Sequence, residues 1–322
     1  MRPTISAETP SARLLPPDAT YAVVVGATGT GKSTFAVDLA VELAHRRVTA
    51  EIVNADAMQL YRGMDIGTAK VPTPERRGIP HHLLDELAIT DEASVEFYQG
   101  RARETLASIL ERGVVPILVG GSGLYVSGAI FDFRFPGTDA AIRESYEDVL
   151  REQGVRPLFD MLRERDPSAA SAIGPHNARR MVRALEVGEL TGQPFAVGLP
   201  DDAPTWGRPT LFGLHEDRGV LVERLDSRVD AMWRSGLVAE VQGLLPLGLE
   251  RGVTASRAIG YAQAIAQVKG EATEDEAKEL TRALTRRYAR RQVSWFKRYP
   301  RVRWSRSGDD EAVSAAADTL TA

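Results

Sequence analysis

An α/β fold is the class that the 322-residue sequence predicts, specifically a P-loop-containing doubly wound parallel sheet with an inserted all-helical domain. Three observations carry this reading. Short apolar β-type runs alternate with helical patterns over residues 21–134. The first run passes through a glycine-rich turn directly into a helix. From Phe135 to about Thr205 the alternation gives way to charged helices, after which a strand pattern returns.

Taken in order, Met1 to about Thr20 holds Pro3, Pro10, Pro16 and Pro17 among small polar residues and reads as a loose, disordered tail. Tyr21 to Val25 is a β-type run, followed by Gly26-Ala27-Thr28-Gly29-Thr30-Gly31-Lys32-Ser33 and the helical pattern Thr34 to Ala44. This is the phosphate-loop pattern G-x-x-x-x-G-K-S with both expected flanks. The glycines let backbone amides curl around an anion, and the helix start adds its positive dipole end. Lys32 is placed to reach the outer phosphates, and the Ser33 hydroxyl to hold Mg²⁺. A di- or triphosphate is expected here.

Glu51 to Ala55 is the next strand and delivers Asp56 to its end, beside the phosphates if the sheet is doubly wound. A carboxylate there holds metal or accepts a proton; the alternative is a helix cap. A third strand, Val114 to Val119, ends in Gly120-Gly121-Ser122-Gly123. Many nucleotide motors carry a magnesium-holding acid at such a strand end, so glycine and serine argue against a motor ATPase. The turn either lets a ligand approach the backbone closely or is simply flexible.

Residues 21–134 form the core in this reading, 135–205 a helical insert, 206–306 the rest of the core with basic C-terminal helices, and 307–322 a tail. The insert patterns are Ala140 to Glu152, Pro157 to Arg165, and Asn177 to Thr191, the last with Arg179, Arg180 and Arg183 close together. Pro194, Pro200, Pro204 and Pro209 mark a return loop to a strand near Thr210 to Leu214. In the helix Leu221 to Trp233, Arg224 and Arg228 share a face. They contact phosphate, or they form surface pairs with Glu223 or Asp226.

Composition narrows the function classes. With 43% hydrophobic and 26% charged residues the chain can bury a normal core, which excludes a disordered chain or a rod. The absence of cysteine excludes disulfides, thiol nucleophiles and iron–sulfur clusters. No apolar run approaches the roughly 20 residues of a membrane span, and no secretion signal is seen at the start, so a cytoplasmic protein is expected. The net charge of −4 hides an asymmetry, because residues 282–306 hold ten basic residues and no acid, leaving 30 basic against 44 acidic elsewhere. Tyr288, Trp295, Phe296, Tyr299 and Trp304 are interleaved with those cations. Such a strip suits a polyanion, the guanidinium groups on phosphates and the rings on bases; the bland alternative is a solvated helix face with Trp295 and Phe296 turned inward.

Several blocks together resemble the tRNA dimethylallyltransferases. They are the phosphate loop, residues 54–70 (NADAMQLYRGMDIGTAK), 78–85 (GIPHHLLD), 118–125 (LVGGSGLY), 180–187 (RMVRALEV) and 256–261 (SRAIGY). The resemblance runs from about Tyr21 to Trp304. It implies transfer of a dimethylallyl group from its diphosphate to the exocyclic amine of the adenosine just 3′ of a tRNA anticodon. By this likeness Asp56 is the general base, Thr28 to Ser33 hold diphosphate and Mg²⁺, and Arg224 assists. Asp56, Ala57, Met58, Gln59, Ser122, Arg179, Arg180, Arg183, Arg257, Gly260 and Tyr261 match segments that touch tRNA. Ala27 and Ala57 depart from the proline and serine of many members, and Ala57 loses a hydroxyl. A monomer is expected. Two rivals remain open: an adenylate isopentenyltransferase, and a phosphate-loop RNA-binding protein or kinase that uses ATP.

Overall fold

The computed structural model describes residues 19–132, 135–195, 205–299 and 301–321. Residues 1–18 of the expected tail, and Pro200 and Pro204 of the expected return loop, lie outside the described residues.

One compact unit comprises the chain up to Phe131 together with Thr205 onward. At its centre is β1 (Thr20–Gly26), buried along all but its first residue. It leads through the phosphate loop into α1 (Lys32–His45), then β2 (Ala50–Asn54) and a two-residue strand β3 (His81–His82). Then come α2 (Val95–Glu111), β4 (Val115–Gly120) and α3 (Gly123–Ile130). After the second unit the chain re-enters at β5 (Arg208–His215) and continues through α8 (Arg218–Arg234), α9 (Leu237–Leu244), α10 (Tyr261–Val268), α11 (Glu274–Phe296), β6 (Arg303–Arg306) and α12 (Asp310–Thr321). The six strands lie in the order β3-β2-β4-β1-β5-β6, and every pairing is parallel.

Alternation along the strands sorts side chains to two faces. Ala22, Val24, Ile52, Ile117, Val119, Phe212 and Leu214 meet Phe35, Ala36, Leu39, Ala40 and Leu43 of α1, with Ala316 and Ala317 of α12 closing the same layer. The α1 residues recur three to four apart, so one stripe of the helix is buried. Each large side chain in it contributes roughly 1.5–3 kcal/mol by leaving water. On the sheet as a whole, α2 and α3 contact β4, and α11 contacts β1. The expected tail 307–322 is therefore corrected in part. Residues 310–321 are helical because Ala312, Val313, Ala316, Ala317 and Leu320 bury one face on the α1 layer, and Arg46 bonds Asp318 and Ser314.

The helix α11 is long and rich in arginine, and its start is well made. Thr273 accepts the Glu276 amide at 3.3 Å while the Glu276 carboxylate accepts the Thr273 amide at 2.8 Å. Glu274, Asp275 and Glu276 then put negative charge at the positive end of the helix dipole.

The second unit is Asp132–Pro204. It contains α4 (Ala140–Gln153), α5 (Val155–Arg165), α6 (Pro167–Ile173) and α7 (Ala178–Thr191), packed around Tyr146, Leu158, Leu162, Ala169, Met181 and Leu185. Glu186 is fully buried within it and is neutralised by Arg143 at 3.1 Å and Arg183 at 2.9 Å. Asn177 caps α7 by accepting the Arg180 amide.

Candidate active site

A cavity of about 1280 Å³ opens over the carboxyl ends of the strands. Its walls bring together the phosphate loop (Thr28, Gly29, Gly31, Lys32, Ser33), Asn54, Asp56 and Gln59 after β2, Gly120 and Gly121 after β4, Arg224 and Arg228 of α8, and Gln292 of α11. Crossovers on either side of β1 leave this crevice at the strand ends, where an α/β sheet takes its ligand.

The loop has its shape for local reasons. Gly31 is the N-cap of α1 with φ 74°, a left-handed conformation that a side chain would strain, and it has no side chain to satisfy the first-turn amides. Uncapped first-turn amides of this kind are the arrangement that suits an anion at a helix start. The Ala27 carbonyl organises the turn, accepting Lys32 Nζ at 2.6 Å and the Thr30 hydroxyl at 2.8 Å. Thr28 N–H donates to Gln292 Oε1 at 2.8 Å.

Asp56 sits two residues beyond β2 on a turn that Asn54 builds. Asn54 Oδ1 accepts the Asp56 amide at 3.0 Å, and its Nδ2 donates to the Asp56 and Leu83 carbonyls. One Asp56 oxygen accepts the Met58 amide at 2.9 Å. The residue thus holds the first amide of the short helix Met58–Leu60, whose N-cap position is Ala57, and it also lines the cavity. Burial raises the Asp56 pKa, with the Met58 amide, Lys32 and Arg228 pulling the other way. A general base at an ordinary carboxylate pKa is the simpler expectation; recession in the cavity moves it upward. Burial in turn lowers Lys32 to about 8, opposed by Asp56 and reinforced by Arg228. Burial also lowers the Arg228 pKa, with Asp56 opposing. Asp56, Lys32 and Arg228 are therefore one electrostatic group.

Arg224 and Arg228 share a face of α8 but not a role. Arg228 donates to the Thr28 hydroxyl at 3.4 Å and lines the same cavity as Asp56, whose charge acts on it. Arg224 donates to the Gly29 carbonyl and Ser307 at 3.0 Å and pairs with Glu216 at 3.1 Å. The surface pairs envisaged with Glu223 and Asp226 are not formed by Arg224; Asp226 instead binds Arg286 of α11 at 2.8 Å.

The glycines of the Gly120–Gly123 turn make room for protein. A Cβ on Gly120 would lie 2.2 Å from the Ala55 carbonyl, one on Gly121 2.4 Å from Gln292 Nε2, and one on Gly123 2.4 Å from the Trp295 ring. What approaches these glycines is Ala55, the residue after β2, and the side chains of Gln292 and Trp295 on α11. Ser122 accepts the Ala57 amide at 3.3 Å and so buttresses the Asp56 turn. Gln59 donates to the Thr68 carbonyl at 3.0 Å. Ala57 and Met58 are half-buried beside it.

Other candidate residues divide sharply. Arg179, Arg180 and Arg257 are exposed. The Arg183 guanidinium is taken up by Glu186 and the Pro136 and Gly137 carbonyls, a structural use within its unit. Gly260 is buried at the start of α10. Tyr261 is fully buried, its ring against Gly67 and its hydroxyl on Glu240 at 2.5 Å. Glu240 in turn accepts the Asp65 and Ile66 amides, so Tyr261 props the 63–70 turn and offers no surface of its own.

The basic strip also splits. Arg282 and Arg286 pair with Asp230 and Asp226 of α8. Arg287, Arg290, Arg291 and Arg298 have no acidic partner among the described residues, and with Ser294 and Trp295 they line a separate cleft of about 540 Å³. Arg298 stacks over Trp295 at 4.7 Å and Arg291 over Tyr288 at 5.8 Å. Trp295 is not simply turned inward: it is half-buried and donates to Ser127 at 3.2 Å, whereas Phe296 is core.

Residues 59–299 match the model of the family described as IPP transferase. The chain belongs to the IPP transferase family. It is 58% identical over 299 residues to a tRNA dimethylallyltransferase of Clavibacter sepedonicus, covering 93% of this chain and 97% of that protein. It is 54% identical over 291 residues to one of Kineococcus radiotolerans, covering 89% and 91%. Among solved structures, a tRNA isopentenylpyrophosphate transferase of Bacillus halodurans is similar at TM-score 0.67 and 36% identity, covering 94% of this chain and 95% of that one. A eukaryotic dimethylallyltransferase acting on tRNA shares the fold at TM-score 0.76 and 24% identity, with 94% and 80% covered.

Within this IPP transferase chain, sequence reasoning assigns no role to two residues that line the cavity, Lys70 and Gln292. Lys70, its side chain 4% exposed, binds Asp65 at 2.5 Å, Asp85 at 2.6 Å and the Tyr61 carbonyl, clamping the turn beside Gln59. Gln292 and Tyr288 lie on α11. Ala289 and Phe296 mark the buried face of that helix, so Gln292, three and four positions away, falls on it by period alone.

Proposed function

We propose that the protein transfers a dimethylallyl group from dimethylallyl diphosphate to the exocyclic amine of the adenosine immediately 3′ of the anticodon, in tRNAs reading U-starting codons, and releases diphosphate. The observation that carries this is the recessed Asp56 beside Lys32 and Arg228 at one phosphate-loop cavity. The diphosphate lies against the amides of residues 28–33, with Lys32 and Arg228 on its oxygens. As the carbon–oxygen bond breaks, charge grows on the departing oxygens, and preorganised amides and cations stabilise that state more than the ground state. The adenine amine nitrogen attacks the allylic carbon, and Asp56 takes its proton as the new bond forms. Arg228 beside Asp56 takes the assisting role that the family resemblance gives to Arg224.

Mg²⁺ fits this site through the Ser33 hydroxyl. Among the described residues no three His, Asp or Glu side chains gather to cage a metal. The Ser33 hydroxyl would hold such a cation beside bound diphosphate. When bound it adds positive charge to the leaving diphosphate.

The target base is normally stacked in the anticodon loop, so it must be drawn out, at a cost of a few kcal/mol that backbone contacts offset. Arg287, Arg290, Arg291 and Arg298 around Trp295 are suited to supply those contacts, with Arg179 and Arg180 of the helical unit, and Arg257, as further candidates. No described helix is long and apolar enough to cross a membrane. We place the reaction in the cytoplasm, where tRNA is found, and read the enzyme as a monomer.

The test is incubation with labelled dimethylallyl diphosphate, unmodified tRNA and free AMP, followed by nucleoside mass analysis. Label in the adenosine 3′ of the anticodon is expected. Labelling of AMP alone supports an adenylate isopentenyltransferase instead. Thermal protection by ATP but not by dimethylallyl diphosphate supports an ATP-dependent RNA-binding protein or kinase.

A further inference from the structure

We infer that Gln292 is a positioning residue for the diphosphate loop, one side-chain amide that holds the turns after β1 and β4 in fixed register. Gln292 is only 4% exposed. Its Oε1 accepts the Thr28 amide at 2.8 Å and its Nε2 donates to the Gly121 carbonyl at 2.8 Å. It thereby joins the two loops that follow neighbouring central strands.

Three features support the assignment. The space is made for it, since a Cβ on Gly121 would lie 2.4 Å from Gln292 Nε2. A neighbour backs it. Tyr288, one turn earlier, places its hydroxyl within reach of Gln292 and Ser122, and burial pushes that hydroxyl up to about 12, so it stays protonated. Ser122 holds the Ala57 amide, so the same helix face also touches the turn that carries Asp56. Finally, the chemistry needs an amide: one end must accept and the other donate, next to a site for a polyanion. A carboxylate would oppose the Gly121 carbonyl and repel the diphosphate, and an apolar side chain would leave the buried Gly121 carbonyl without this partner.

This inference rests on the proposed prenyl-transfer reading and adds to it: the helix that bears the open arginines also sets the geometry of the donor site. The experiment compares wild type with Q292M, which preserves length and removes both hydrogen bonds. The KM for dimethylallyl diphosphate is expected to rise about tenfold or more, with the KM for tRNA changed by less than about twofold. Titration of the RNA-free protein with inorganic diphosphate should show the same loss, while an anticodon stem-loop RNA binds as before. Unchanged diphosphate affinity, or an equal loss of RNA affinity, overturns the assignment. Should Q292M fail to fold, Q292E is read in the same way. Its carboxylate should weaken diphosphate binding further, and unaltered binding overturns the inference. Wild-type protein that leaves tRNA unmodified would sink the prenyl-transfer reading, but the diphosphate titrations would still decide the role of Gln292.

Discussion

The phosphate loop and the arginine face of α11 both offer positive charge to an anion, yet they acquire that property at different levels of organisation. In the loop, the polar groups come from eight consecutive residues, with a left-handed glycine, uncapped first-turn amides and a lysine folded back on the Ala27 carbonyl, and only the brace from Gln292 is distant in sequence. On α11 the charge is spread over a 23-residue helix, and whether a given arginine is available depends on partners far away in sequence. Arg282 and Arg286 are neutralised by Asp230 and Asp226, whereas Arg287, Arg290, Arg291 and Arg298 keep their charge open. Counting cations therefore overstates the binding face, while the loop can be read directly.

The largest test of this contrast is on the donor side. Asp56→Ala should lower kcat on the order of a hundredfold or more with little change in tRNA affinity, measured by single-turnover transfer and direct binding. A loss confined to binding would make Asp56 a recognition residue. Next, Arg228→Ala should raise the KM for dimethylallyl diphosphate by about tenfold or more, and Arg224→Ala by much less, because Arg224 is already committed to Glu216 and the Gly29 carbonyl. The reverse ranking would show that the division of roles between Arg224 and Arg228 is wrong.

On the arginine face, alanine at Arg287, Arg290, Arg291 and Arg298 should flatten the plot of log tRNA affinity against log salt, by about one unit for each phosphate no longer neutralised. Alanine at Arg282 and Arg286 should leave that slope intact and lower the melting temperature instead. If both sets behave alike, the division of α11 into a paired and an open side fails.

A smaller effect is expected from pH. In the proposed reaction Lys32 acts on diphosphate as a cation, and its pKa is lowered to about 8 by burial. Diphosphate affinity of the RNA-free protein should decline as pH rises through about 8, and K32R, which stays charged, should remove that decline. Asp56 must be ionised to act, and burial raises its pKa, so kcat should fall on acidification at a higher pH than an ordinary aspartate would give. The smallest effect is Tyr261→Phe, which removes a buried hydroxyl from Glu240 and should cost about 1–3 kcal/mol of stability in a denaturant melt without a specific loss of tRNA binding.

Much of this is legible in the chain itself. Tyr21 to Val25 reads as a strand because it is apolar and β-branched, and the glycine turn and the pattern from Thr34 name the next two elements. Strand-end logic alone places Asp56, together with the crevice beside it. Less visible are β6 and α12. Residues 303–306 are mostly polar, and they form a strand only because β5 offers an edge. α12 is mostly small residues, which signal a helix weakly until the α1 surface is there to cover. Tyr261 illustrates a different gap. A motif resemblance marks it as touching RNA, but whether a tyrosine faces solvent or props a turn is decided by what packs over it.

By itself the sequence determined what depends on neighbours along the chain: the strand–loop–helix unit with its glycines and lysine, the carboxylate that follows a strand, and the helical character of the insert. Only the tertiary structure decided which arginines stay unpaired, that Arg228 donates to the Thr28 hydroxyl and feels the Asp56 charge while Arg224 is held by Glu216, and that a glutamine on the last long helix ties two loops of the site together. The physical reason is range. Backbone geometry and periodicity are set within a few residues, whereas charge neutralisation, burial and the pKa shifts they cause come from contacts whose partners lie tens to hundreds of positions apart, as Thr28 and Gln292 do across 264 residues.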